Sequence, residues 1–128
     1  MFGATKIHHI AIICSDYAKS KRFYTEILGF EVIAETYRQG RGSYKLDLRV
    51  GLNQIELFSF PAPPARVSNP EACGLRHLAF EVDDVSTVLS YLRSFDIEAE
   101  DIRVDEITGK QFTFFRDPDN LPLEVYQR

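Results

Sequence analysis

The 128-residue sequence has no apolar run of the roughly 20 residues that a membrane-spanning helix needs; its longest runs are broken within a few positions. It shows no signal-peptide pattern, so a cytosolic location is the expectation and no membrane partner is expected. Basic residues are in deficit, with 15 Lys and Arg against 19 Asp and Glu and a formal charge of -4. That balance leaves no basic stripe to neutralise phosphates, which argues against a nucleic-acid partner. Cysteine is scarce: Cys14 and Cys73 stand alone, outside any CxxC pair. In a chain without a signal they are expected as reduced thiols, and no chemistry is assigned to them.

What is present is ordinary globular composition, 45% hydrophobic and 27% charged, in a chain long enough for one sizeable core or two small ones. The chain also repeats itself. The segment "HIAIICSD" from His9 lies over "HLAFEVDD" from His77, an offset of 77 − 9 = 68. Each apolar run is followed by a helix-capping signal, Ser15-Asp16 in the first copy and Asp83-Asp84 in the second. An amphipathic stretch follows each cap, with Tyr17, Phe23, Tyr24, Ile27 and Leu28 in one copy and Val85, Val88, Leu89 and Leu92 in the other. Gly29 is placed to end the first helix in the left-handed conformation. Three short alternating segments complete each copy: "FEVIAETY", "YKLDLRV" and "NQIELFSF", then "IEAEDIRV", "QFTFFR" and "LPLEVYQ". The order is therefore strand, helix and three strands, twice. The proline-rich "PAPPARVSNPEACG" reads as an extended connector between the copies.

The offset that pairs His9 with His77 also pairs Glu56 with Glu124, so histidine and glutamate are 47 residues apart in both copies (56 − 9 and 124 − 77). His8 has no such twin, since Arg76 takes its place, and strand alternation puts His8 on the face opposite His9. Ala11 and Ala79 lie two positions after the repeated histidines, and their small side chains leave room for a ligand. Glu56 shares its expected face with Phe58 and Phe60, and Glu124 shares its face with Tyr126. An unpaired carboxylate among such neighbours costs several kcal/mol, and a cation held by both glutamates and both imidazoles would supply the partner. Taken singly, these residues are explained by a solvated face or a satisfied polar core. The matched pairs point instead to a site for a divalent metal, with zinc, nickel, manganese and iron(II) all compatible with the donors.

The stretches "HHIAIICSDYAKSKRFYTEILGFEV" and "FRDPDNLPLEVYQ" resemble the opening strand and helix and the closing turn and strand of the vicinal oxygen chelate superfamily, the group of glyoxalase I, bleomycin-resistance proteins and dioxygenases. The resemblance covers essentially the whole chain. It implies an α+β fold, a single domain over residues 1–128, built from two βαβββ modules with curved mixed sheets enclosing a metal site. The modules are expected at residues 5–60 and 75–128, joined by a connector at 61–74. The implied ligands are His9, Glu56, His77 and Glu124. Two histidines with two carboxylates are most similar to glyoxalase I, where zinc or nickel is the first expectation and manganese or iron the next. Extradiol dioxygenases and fosfomycin-modifying enzymes use one carboxylate fewer, bleomycin-sequestering proteins lack the ligands, and methylmalonyl-CoA epimerase commonly has glutamine at the position of Glu56. Ile13 stands where glyoxalase I has an arginine for the glutathione carboxylate, which argues against glutathione dependence. Asn120 replaces the usual glycine of the "DPDG" turn and also tolerates positive φ.

The resemblance implies a lyase or isomerase that moves a proton on a small substrate with adjacent oxygens. Glu124 is the expected catalytic base and Glu56 its symmetric alternative. Tyr24, Phe58, Phe114 and Tyr126 are aromatics available to a pocket, with Tyr24 expected in the core, and Arg38, Arg41 and Lys110 are loop cations within reach of an anionic substrate tail. A metal-free, antibiotic-sequestering type of binding module and an Fe(II) extradiol-type dioxygenase are the alternative readings. A homodimer is expected, with the site closed within one chain or across the pair.

Overall fold

The computed structural model describes residues 1–128 as two compact units, 1–64 and 65–128. In the first, β1 (Ile10–Cys14) leads to α1 (Tyr17–Arg22), β2 (Glu31–Arg38), β3 (Ser43–Val50) and β4 (Asn53–Ser59). In the second, β5 (Leu78–Val82) leads to α2 (Val85–Ser94), β6 (Arg103–Val104), β7 (Gln111–Arg116) and β8 (Pro122–Gln127). The fold class is thus α+β, with four strands and one helix in each unit. No helix is long and apolar enough to cross a membrane.

Both four-stranded sheets have the same spatial order, β1-β4-β3-β2 and β5-β8-β7-β6. The first strand of each unit runs parallel to its last, and the other neighbours are antiparallel. The offset of 68 carries the limits of β1 onto those of β5 and the start of α1 onto that of α2. The outcome on the critical strand pair is the same register twice: Ala11 lies opposite Glu56, and Ala79 lies opposite Glu124.

Alternation decides which side of each sheet is core. In the first unit Ile12, Cys14, Leu46, Leu48, Ile55 and Leu57 are buried together with Phe23, Tyr24 and Ile27 of the helical segment. In the second, Thr113, Phe115, Leu123 and Val125 are buried with Val85, Leu89 and Leu92 of α2. The intervening positions, including both glutamates, face the other side of their sheets. Each helix starts as the sequence requires: the Asp16 carboxylate accepts from the Lys19 amide at 3.1 Å, and that of Asp84 from the Thr87 amide at 3.0 Å.

Two segments depart from expectation. The first helix continues past α1 as a wider π turn over Phe23–Ile27, which packs Phe23 and Tyr24 inward before Gly29 ends it at φ 77°. Of the alternating run "IEAEDIRV", only Arg103–Val104 forms a regular strand. Upstream, Thr113 donates its hydroxyl to the Glu100 carbonyl at 2.6 Å while the Glu100 amide reaches the Phe114 carbonyl at 2.9 Å, so a side chain takes a place in the ladder.

Candidate metal centre

Glu56 sits in the middle of β4 between Ala11 on β1 and Asp47 on β3, and only 6% of its surface is exposed. His9 brings Nδ1 to 3.4 Å from Glu56 Oε2. Gln54 donates to the same oxygen at 3.0 Å, and Lys45 Nζ lies 3.5 Å from Oε1 while bonding Asp47 at 2.7 Å. The carboxylate is therefore neutralised by a lysine shared with Asp47 and held in place from three directions. The Lys45 pKa is raised, chiefly by its hydrogen bond to Asp47.

His8 belongs to this cluster, contrary to the alternation argument. Its Nδ1 is 2.9 Å from His9 Nδ1, and the donor atoms of His8, His9 and Glu56 all lie within 4.8 Å of one another, a spacing able to hold a metal ion. The physical reason is that β1 begins at Ile10, so the two histidines precede the strand and its two-residue alternation does not govern them. No repeat partner marks His8, and the adjacency of two histidines was the only sequence signal for it.

The second half is built on the same plan with different chemistry. Glu124, 8% exposed, lies between Ala79 on β5 and Phe114 on β7. His77 Nε2 is 2.9 Å from Glu124 Oε2, and its ring meets Phe114 edge to face at 5.1 Å between centroids. The residues on the neighbouring strands explain the difference. Opposite Glu56 the sheet presents Asp47, whereas the segment opposite Glu124 carries Phe114 and Phe115, of which Phe114 is the cross-strand partner. Glu56 consequently sits in a network with Lys45 and Asp47, whereas Glu124 pairs with His77 and feels the Arg76 charge at longer range. Each pair unites a borderline nitrogen donor with a desolvated carboxylate oxygen, a set that suits a divalent cation.

The remaining candidates divide. Tyr24 is fully buried in the core. Phe58 and Phe114 lie on the glutamate-bearing faces of their sheets, as does Tyr126, whose hydroxyl donates to Asp105 at 2.9 Å and also meets Thr108. Arg41 and Lys110 are exposed in turns, whereas Arg38 is the last residue of β2 rather than a loop residue. On the helix side of the first unit, Tyr17 and Lys21 both donate to Glu35 Oε2, at 2.5 and 2.7 Å. Those bonds hold the Glu35 carboxyl below its ordinary range, while burial and Glu35 push the Tyr17 phenol well up. The 18-residue separation of Tyr17 and Glu35 gave no sequence signal for this cluster.

Two α+β units of the same sheet order, each closing a buried glutamate against a histidine, define the class of protein. The chain belongs to the Glyoxalase/Bleomycin resistance protein/Dioxygenase superfamily, whose family model matches residues 6–125. It is 63% identical over 123 residues to YwkD of Bacillus subtilis, covering 95% of this chain and 96% of that protein. A glyoxalase family protein from Enterococcus faecalis has a crystal structure that superposes with a TM-score of 0.90 at 50% identity, covering 98% of this chain and 99% of that one. The chain is also 30% identical over 145 residues to a 2-epi-5-epi-valiolone epimerase of an Actinomyces species, covering 96% of this chain and 79% of the epimerase.

Proposed function

We propose that the protein is a glyoxalase I-like, divalent-metal enzyme that transfers a proton on a small substrate with adjacent oxygens, with His9, Glu56, His77 and Glu124 as the metal ligands. The observation that carries this reading is the twice-built pair: a buried glutamate within 3.4 Å of an imidazole in one unit and within 2.9 Å in the other. Folding alone gives no reason to bury two such carboxylates at matching positions. Zinc or nickel suits the donors best, then manganese or iron. The ion would act as a Lewis acid that draws negative charge onto a substrate oxygen and so acidifies the neighbouring C–H.

The protein groups then have separate tasks. Glu124, paired with His77 and lying across the strands from Phe114, with no ammonium within 4 Å, is the carboxylate to which we assign removal of the carbon-bound proton and its return to the adjacent carbon. Glu56, held by Lys45, Gln54 and His9, is the stationary partner. Ala11 and Ala79 keep the space over the carboxylates open. Ile13 offers no cation to a glutathione carboxylate, so the substrate class is a small hydroxy-carbonyl compound without that carrier. The epimerase relative fits this reading, since epimerising a carbon beside a carbonyl is also a removal and return of a proton. A symmetric homodimer is the proposed assembly.

The test is solvent exchange. The metal-loaded protein, incubated in deuterium oxide with a panel of α-hydroxy ketones and aldehydes, is expected to wash deuterium into the position beside the carbonyl of at least one compound. Glu124→Gln is expected to abolish the exchange while retaining the metal. Exchange that persists at the wild-type rate in that variant overturns the assignment of the base.

A further inference from the structure

Three cations, Lys45, Arg49 and Arg38, lie on the glutamate-bearing side of the first sheet, and two of them have a carboxylate. Lys45 is shared by Asp47 and Glu56, and Arg49 lies 3.4 Å from Glu31. In the second unit Arg103 lies across Phe112 and Phe114 at 4.9 and 5.5 Å from their centroids and is paired with Glu100 at 2.9 Å. Arg38 is the exception. Its guanidinium lies across Phe58 and Phe60 in the same manner, 4.8 and 5.6 Å from the centroids, yet no carboxylate comes within ion-pair distance. Its one hydrogen bond is from Nη2 to the Ser43 hydroxyl at 2.8 Å. The Nε–H is shielded from water and has no partner, and Nη1 has no protein acceptor.

This arrangement is held by the backbone. Arg38 and Ser43 face each other at the end of the β2–β3 pair, and the turn between them closes through Gly42 at φ 56°. Ser43 is itself fully buried and passes its own proton to the Tyr44 carbonyl, so its oxygen is fixed as an acceptor for Arg38. The two rings set the plane of the guanidinium. A planar fork of donors, fixed in orientation, partly withdrawn from water and left without an anion, matches a carboxylate or phosphate group in shape and charge. Phe58 is two residues beyond Glu56 on the same face of β4, a displacement of about 7 Å along the strand. An oxyanion on Arg38 is therefore one small molecule's length from Glu56.

We propose that Arg38, oriented by Ser43, Phe58 and Phe60, is an oxyanion-binding subsite that receives a carboxylate or phosphate group of the substrate. This names the substrate class more narrowly, as an anionic hydroxy-carbonyl compound, and it rests on the reading of Glu56 as part of the active site for its functional meaning. The binding itself is independent of any metal.

The test follows the Arg38 Nε–Hε resonance in isotope-labelled protein during titration with inorganic phosphate and, separately, with propionate. Wild type, Arg38→Met, Arg38→Lys and His77→Ala are compared, with metal content and far-UV circular dichroism measured on each. The expected result is a saturable shift of the Arg38 resonance in wild type. Affinity should be at least about tenfold weaker in Arg38→Met, partly recovered in Arg38→Lys and unchanged in His77→Ala. The probe that binds more tightly identifies the group as phosphate or carboxylate. An Arg38 resonance unmoved by both anions, or an Arg38→Met protein that is folded and binds as wild type does, overturns the subsite. Saturable binding at Arg38 in a protein that takes up no divalent metal keeps the subsite and defeats the metal-enzyme reading, so the two failures are separable.

Discussion

At the residue scale, the two glutamates are twins in position and unlike in surroundings, and the difference assigns their work. Glu56 is tied to Lys45, Gln54 and His9, and Glu124 pairs with His77 and lies across the strands from Phe114. Replacing Glu124 by Gln should leave metal content near the wild-type level and lower turnover by about 10²–10⁴-fold, measured as solvent exchange at saturating substrate. Lys45 makes a different prediction. Its ammonium stands where it neutralises Glu56, so it opposes a cation at that carboxylate. Lys45→Met should tighten divalent-metal binding severalfold in a chelator competition, and an affinity weaker than wild type would show instead that Lys45 supports the site. The four repeated residues were legible because an offset of 68 is blind to packing and marks them together. His8 was not, because the two-residue period was applied to residues that precede the strand. Arg38 was misplaced in a loop because β2 runs one residue beyond the alternating segment that marked it.

At the scale of the element, strand order, helix starts and the positions of the long strands could be read from capping aspartates and alternating apolar residues. The register of β7 against β8 could not. The strands are joined by the turn at 117–121, where the Asp117 amide donates to the Leu121 carbonyl at 3.0 Å and the Leu121 amide to the Asp117 carboxylate at 2.9 Å, whereas only Gly51 and Leu52 separate β3 from β4. The chemical asymmetry of the site does not depend on that register, because residues 114 and 115 are both Phe where the first copy has Asp47. The core side of the sheets carries the stability. Leu57 is fully buried between Ile12 and Leu46, and Leu57→Ala should cost about 2–5 kcal/mol in denaturant unfolding. The tie between α1 and β2 is pH-dependent. Because Lys21 and Tyr17 lower the native pKa of Glu35 below its ordinary 4.5, the stabilisation is present above that value and is lost as pH falls through the lowered native one. Stability measured from pH 6 down to 2 should therefore fall less steeply in Glu35→Gln than in wild type, and parallel profiles would show that the tie contributes nothing.

At the scale of the whole molecule, each unit holds a histidine–glutamate pair on a sheet of the same topology, and the proposed function has the two pairs serve one ion. Independent sites and a shared one differ in how they respond to damage in one half. Elemental mass spectrometry on protein purified without chelator, in wild type, His9→Ala and His77→Ala, separates them. The expected result is about one divalent ion per chain in wild type and loss of that ion in both variants, with the fold retained by circular dichroism. Absence of metal after incubation with nickel, zinc, manganese and anaerobic iron(II), or full occupancy in either variant, would contradict it.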